Sequence, residues 1–349
     1  MRTILADRPV RYRLAGESEL TKTKGDKPEY RVPSMKEIAG LPWNGRSVVS
    51  TFSGCGGSCL GYRMAGFKVF WASEFIPEAQ TTYRANNPTS ILDTRDIRAV
   101  RPEDILAAVK MAPGEIDILD GSPPCASFST AGKREKGWGK AKAYSDTMQR
   151  TDDLFFEYVR ILKGLQPKAF VAENVSGLIK GTAKGYFLDI LKALKGCGYN
   201  VSAKVLDAQW LGVPQARQRL IFVGVRNNLG IAPAHPKPLP YRYSVREAIP
   251  EITKIQTGSY CSEWRNFDEP MGTIVQTDGS RSHRSQCETS TEKRKFSIAE
   301  LRRICGFPDD FVLTGSYAQQ WERLGRAVPP VMMERIAATI RDEILCKIK

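Results

Sequence analysis

Ser47-Val-Val-Ser-Thr-Phe-Ser-Gly-Cys-Gly-Gly-Ser-Cys-Leu-Gly61 is the stretch from which the fold is read. Its first half, Ser47–Phe52, is short and rich in β-branched and apolar residues, which suits a buried strand. Gly54, Gly56 and Gly57 then permit a tight turn and close approach of a ligand to the backbone. Helix-like sequence follows. The same strand–turn–helix pattern recurs downstream, with strands expected at Lys68–Ala72, Ile116–Leu119, Ala169–Ala172, Val201–Leu206 and Leu220–Val225, and helical periodicity at Leu154–Leu165 and Tyr186–Leu194. Alternating strands and helices indicate an α/β domain around a mostly parallel sheet.

The glycine turn has two readings, a plain strand-to-helix connection or a nucleoside-cofactor loop. Its spacing departs from the dinucleotide pattern. Glu74 lies twenty residues after Gly54 at the end of the second expected strand, where a carboxylate takes ribose hydroxyls. Asp96, expected at the end of a third strand, is a candidate for the adenine amino group, with Ile97 packing on the ring.

Around this domain the chain changes character. Residues 1–45 are polar and basic, with one short helix near Ser34–Leu41. Residues 228–293 carry six prolines with Gly, Ser and Arg and no helix of convincing period, which reads as a small irregular domain of short strands and loops. Helical pattern returns at Ser297–Ile304 and after Pro329-Pro330. There Val331, Met332, Ile336, Ile340 and Ile344 form an apolar stripe, so the last helix is expected to return to the first domain.

Of 349 residues, 52 are Lys or Arg and 38 Asp or Glu, a net charge of +14. Such a surplus favours a polyanionic partner. Long apolar runs and the apolar core of a signal peptide are both missing, so neither a membrane partner nor secretion is expected. Eight scattered cysteines suggest reduced thiols in a cytoplasm. Two histidines leave little room for histidine-based catalysis. His283 and Cys287 lack further ligands, so no metal is expected.

Asp117-Ile-Leu-Asp-Gly-Ser-Pro-Pro-Cys-Ala-Ser-Phe-Ser129 presents a thiol, Cys125, just past a strand. Alone it could be a small buried hydrophobe. With its neighbours it resembles the Pro-Cys element of the DNA (cytosine-5) methyltransferase family. The resemblance runs from Val48 to the C-terminus, with the motifs in family order. Phe52–Gly57 resembles the S-adenosylmethionine loop and Glu74 the ribose acid. Glu173-Asn174-Val175 and Gln215-Ala-Arg-Gln-Arg219 are similar to the second and third catalytic motifs. Arg294-Lys-Phe-Ser with Glu300 and Gly306-Phe-Pro308 resembles the brace of the recognition domain, Glu269-Pro-Met-Gly-Thr-Ile-Val275 its signature, and Gly325-Arg-Ala-Val-Pro-Pro330 the final motif.

The resemblance implies a Rossmann-like S-adenosylmethionine-dependent methyltransferase fold with a small target recognition domain. The expected boundaries are 1–45 for the extension, 46–227 for the catalytic domain, 228–325 for recognition and 326–349 for the returning helix. It implies that Cys125 adds to C6 of cytosine, making C5 nucleophilic, while a protonated Glu173 bonds N3 and Arg219 bonds O2, with Arg217 in the same catalytic set. Cofactor contacts are implied for Phe52, Ser53, Gly54, Gly56, Gly57, Glu74, Phe75, Asp96, Ile97, Asp120, Pro123, Leu154, Arg326 and Ala327. A flipped cytosine in double-stranded DNA is the substrate. Residues 130–150 read as a basic lid in which Lys133, Arg134 and Lys136 meet phosphates, and Thr273 belongs to the DNA-binding set. A monomer in a bacterial cytoplasm is expected, within restriction–modification.

Two residues depart from the family. Ala126 stands where Gln is usual, and Arg326 where Asn is usual, close to the methyl group. A guanidinium beside a sulfonium repels it unless the transferred group carries a carboxylate. Carboxy-S-adenosylmethionine and 5-carboxymethylcytosine therefore stand as the alternative, against Arg326 turning outward to a DNA phosphate. An RNA cytosine methyltransferase and a catalytically dead DNA-binding homologue are the further alternatives.

Overall fold

The computed structural model describes residues 27–124, 142–144, 147–149, 153–179, 184–256, 267–276 and 286–348. In chain order its strands are β1 (Ser47–Thr51), β2 (Lys68–Ser73), β3 (Ile91–Asp93), β4 (Ile118–Gly121), β5 (Lys142–Tyr144), β6 (Thr147–Gln149), β7 (Ala169–Val175), β8 (Tyr199–Asp207), β9 (Gln215–Ala216), β10 (Gln218–Arg226), β11 (Ile252–Gln256), β12 (Met271–Gly272), β13 (Gln286–Thr289) and β14 (Lys293–Lys295). Seven form one sheet in the order β3-β2-β1-β4-β7-β10-β8. Every pairing in it is parallel except those of β10, which runs antiparallel to both neighbours.

Helices cover both faces, which is why β1 and nearly all of β7 are buried along their length. Alternate residues feed different cores. Val49, Leu119, Phe170 and Phe222 pack with Phe155, Tyr158, Leu162 and Ile190 of the helices Leu154–Leu165 and Lys184–Gly196. Val48, Ile118, Val171 and Ile221 pack on the other face with Cys59 and Tyr62 of helix Gly57–Met64 and with Met332, Met333, Ile336 and Ile340 of helix Pro330–Glu343. The last helix thus returns to the first domain. A Cβ on Gly61 would meet the carbonyl of Pro330 at 2.6 Å, so glycine sets the closeness of these two helices.

A third core lies among residues 245–324. Ile38, Cys55 and Leu60 meet Val245, Ile274, Phe296, Leu301, Phe307, Trp321 and Leu324 there. Contrary to expectation, residues 228–293 contain a helix, Val245–Ala248. It is a single turn held by a Ser244–Glu247 capping box, too short to show a period. β11, β13 and β14 form a small antiparallel sheet. The expected 325/326 boundary falls inside helix Tyr317–Arg326.

Residues 27–45 dock on this region. The Tyr30 ring lies 5.0 Å from that of Tyr243, tilted against it, and the Tyr30 hydroxyl donates to the carbonyl of Arg303 at 2.7 Å. Helix Met35–Ala39, capped by Ser34, carries a backbone N–H at Met35 that bonds Asp310 at 2.8 Å.

Candidate active site

The cofactor-loop residues gather at the C-terminal end of β1, where parallel sheets bind ligands. Phe52 takes φ 54 and Gly54 φ 55, so the chain turns sharply out of the strand. A non-glycine residue in that region is strained, and such strain is held where a site over-determines it. Glu74, just beyond β2, accepts from the backbone N–H of Gly54 and of Ile76, both at 2.7 Å. Burial raises its pKa, and those bonds together with the nearby Arg323 oppose the rise. Phe75 beside it is an exposed aromatic. A Cβ on Gly54 would meet nothing within 4 Å. Open space over a glycine, an anchored carboxylate and an exposed ring fit a nucleoside. Ser53 is buried, and its hydroxyl donates to Ser50 Oγ at 3.0 Å. Gly57 lies so close to the carbonyl of Val328 and to Ala327 that a side chain there would clash, which joins the final motif to the loop.

Asp96 differs from expectation. β3 ends at Asp93, and Asp96 instead caps the turn Ile97–Ala99 and pairs with Arg98 at 3.0 Å. Ile97 and Leu154 are buried in one core. Asp120 also differs. It is 1% exposed, and its carboxylate faces three hydroxyls beneath the loop rather than open space.

Glu173 and Arg219 meet at the adjacent ends of β7 and β10. Ile221 is paired with Glu173, so Arg219, two residues earlier, is its diagonal neighbour on the same face. Arg219 Nε donates to Glu173 Oε1 at 2.7 Å, and both side chains are nearly buried. Burial lowers the arginine's pKa, with Glu173 as the opposing influence. Next to Glu173, Asn174 donates from Nδ2 to the carbonyl of Pro123 at 3.3 Å. It thereby ties the Pro123-Pro124 segment to β7. Cys125 follows directly and lies outside the described residues, as do Lys133, Arg134, Lys136 and His283.

Arg217 is separated from Arg219 by its partners. Its guanidinium is buried and donates to the carbonyls of Ile274 at 3.0 Å and Gly325 at 2.8 Å. It braces backbone where a catalytic contact was expected. Burial depresses its pKa to about 9. Gln215 accepts from the N–H of Ile274, Thr273 donates to the carbonyl of Ala216 at 2.6 Å, and β9 pairs with β12. The Gln215–Arg219 segment therefore sits between the main sheet and residues 271–274. Arg294 and Glu300 form a forked pair at 2.8 Å that braces helix Ile298–Ile304. Arg326 turns back along its helix and donates to Glu322 at 2.7 Å. Glu322 also pairs with the buried Arg323 at 3.1 Å. Sequence reading missed Glu322, although the i,i+4 spacing to Arg326 is the signal that finds it. Among the described residues no group of His, Cys, Asp and Glu could hold a metal ion.

The chain matches the model of the C-5 cytosine-specific DNA methylase family over residues 46–269 and 241–342. It belongs to that family. It is a DNA cytosine-5 methyltransferase. The methyltransferase is 30% identical to the Type II methyltransferase M.NgoPII of Neisseria gonorrhoeae, over 89% of this chain and 99% of the relative. It is also 30% identical to M1.HphI of Haemophilus parahaemolyticus, over 84% and 86%. Among solved structures, a prophage-encoded chain from E. coli superimposes with a TM-score of 0.66 at 22% identity, covering 86% of the methyltransferase and 99% of itself. DNMT2 of Spodoptera frugiperda superimposes with a TM-score of 0.62 at 19% identity, over 83% and 97%. Both share its fold. Among the described residues no helix of the methyltransferase is long and apolar enough to cross a membrane.

Proposed function

We propose that the methyltransferase modifies a flipped-out cytosine of double-stranded DNA through a transient covalent adduct between Cys125 Sγ and C6. The observation that carries this reading is the Glu173–Arg219 pair beside the Asn174–Pro123 tie, at the strand ends next to the Cys125 segment. The Cys125 thiolate attacks C6 and its electron pair moves onto the ring, making C5 enamine-like. Arg219 stabilises charge at O2 and Glu173 bonds the N3 edge, so their mutual pair opens toward the base. When bound, S-adenosylmethionine supplies the methyl group that C5 takes up. Loss of the C5 proton then expels the Cys125 thiolate and restores the ring. Glu74 orients the ribose, and Phe75 offers its exposed ring to the adenine. Arg217 is a positioning residue, joining Ile274 to Gly325 behind the site. Asp96, Ile97, Pro123 and Leu154 line the reading only indirectly, through the turn and core that support the loop ends.

The methyl donor is favoured over carboxy-S-adenosylmethionine by the pairing of Arg326 with Glu322. A carboxylate already offsets the guanidinium, so none is needed on the donor. DNA is favoured over RNA by the family model and by the Type II methyltransferases among the relatives. Residues 228–325 are assigned to target recognition, with Thr273 near the DNA and Lys133, Arg134 and Lys136 on its phosphates. The setting is a bacterial cytoplasm, with the protein acting as a monomer in restriction–modification.

The test is DNA carrying 5-fluorocytosine, from which C5 cannot lose a proton. The wild type should give a complex stable to denaturant and Cys125→Ser none. Absence of the wild-type complex would refute the covalent route. Tritium transfer to DNA but not tRNA, and 5-methylcytosine as the sole modified nucleoside when both donors are offered, check substrate and donor.

A further inference from the structure

Asp120 sits in the interior of the main sheet, on β4, five residues before Cys125. A buried carboxylate is costly unless its hydrogen bonds are met. Here they are met by three hydroxyls drawn from the cofactor-loop segment. Ser50, its register partner on β1, donates to Oδ2 at 2.9 Å. Ser58 and Tyr62, from the helix that follows the glycine turn, donate to Oδ1, each at 3.3 Å. Ser53, inside the turn, donates to Ser50 Oγ at 3.0 Å and to the Ser50 carbonyl at 3.2 Å. The carboxylate is thus the common acceptor for strand and helix, and the turn joins it through Ser53 and Ser50.

We infer that Asp120 is a positioning residue for cofactor binding, its ionised carboxylate fixing the glycine turn relative to the strand that leads to Cys125. The inference rests on the assignment of that turn to the cofactor. Only a carboxylate accepts all three donors at once. A protonated acid or an amide must donate from one end, which makes Ser50 the acceptor there and turns its own proton away from Asp120. The turn then loses its anchor, and the ligand must reorder it on binding.

The groups facing Asp120 are Cys59 and Tyr62 from helix Gly57–Met64, Tyr158 from helix Leu154–Leu165 and Glu173 from β7. None of these is a cation. Burial, with Glu173 adding to it, moves the Asp120 carboxyl up to about 7, while its three hydroxyl donors oppose the rise. Neutral pH therefore lies within its titration.

The experiment compares S-adenosylmethionine binding, by calorimetry, and steady-state kinetics on DNA for the wild type, Asp120→Asn and Ser58→Ala between pH 6 and 9. Asp120→Asn should weaken cofactor binding about tenfold at pH 8, the value of one charged hydrogen bond. KM for the cofactor should rise with kcat held within about twofold, since the reacting groups are untouched. In the wild type the cofactor KM should rise as pH falls through about 7, and in Asp120→Asn it should be flat and high. Ser58→Ala keeps the carboxylate, so it should weaken binding less and retain the pH dependence. Its presence keeps the test open if Asp120→Asn does not fold. A folded Asp120→Asn protein with wild-type cofactor affinity and pH profile overturns the inference, as does a Ser58→Ala protein lacking any pH dependence while the wild type has it. A wild type that does not bind S-adenosylmethionine refutes the cofactor assignment itself, a different failure.

Discussion

Arg219 and Glu173 are joined by a 2.7 Å Nε–Oε1 bond between two antiparallel strands, nearly shielded from water. Each is the other's partner in the free protein, and each is assigned to the same base when DNA is bound. Arg219→Ala should lower kcat by about 10²–10³-fold, the usual loss for one donor to developing charge. Cofactor affinity should not change. Tritium transfer and calorimetry measure the two effects, and an equal loss in both would count against a catalytic Arg219.

Glu74 is tied to the backbone of Gly54 and Ile76 by both oxygens. Glu74→Gln keeps the volume but loses one of the two acceptors. Cofactor affinity should fall by about tenfold or more, with kcat at saturating cofactor much less affected. An initial-rate series in S-adenosylmethionine separates the two.

Gly325 lies where a side chain would strike the carbonyl of Val275, and its own carbonyl takes Arg217. Gly325→Ala should cost about 1–3 kcal/mol by forced displacement of the Val275–Gln276 backbone. Urea unfolding reads the stability, and a parallel rise in KM for DNA would show that the displacement reaches the recognition region.

Glu322 offsets Arg326 and Arg323 together. Glu322→Gln leaves both guanidinium groups without that carboxylate, near where a sulfonium is expected. KM for S-adenosylmethionine should rise up to ~5-fold, the range of a partly exposed pair. Adding Arg326→Asn should restore most of the loss. No restoration would mean that Arg326 does not face the cofactor.

Asp120 also carries a stability signature. Its folded pKa is raised from 3.8 to about 7, so the folded protein holds a proton that the unfolded chain releases. Stability is therefore greatest below the unfolded value and declines as pH climbs toward 7, by up to ~4 kcal/mol for a shift of this size. Asp120→Asn removes that decline. The difference in unfolding free energy between the two proteins, followed from pH 4 to pH 8, should move toward the variant as pH rises.

Much of the sheet was legible because strands covered on both faces leave continuous apolar runs, as at Val48–Val49 and Ala169–Ala172. β3 was not, because three residues at a sheet edge with Ile91 exposed leave no pattern. With no pattern to mark its bounds, the third strand was expected to end at Asp96, three residues beyond its actual end. Arg217 and Arg219 look alike in sequence, but β9 leaves the main sheet for β12 before β10 begins, so one arginine braces carbonyls and the other meets Glu173. The hydroxyl cage of Asp120 depends on strand register and helix placement together, which no local spacing encodes.

Helix Pro330–Glu343 closes over helix Gly57–Met64, with Met333 against Gly61. These partners stand far apart along the chain, with the whole recognition region between them. Contacts of such separation form late and slow folding. On a ribosome adding roughly 5–20 residues per second, Met333 is made about 15–50 seconds after Gly61. Throughout that interval helix Gly57–Met64 lacks the part of its core that Met332, Met333 and Ile336 supply. The helix that follows the glycine turn is thus packed from this side only once residues made about 270 positions later have docked.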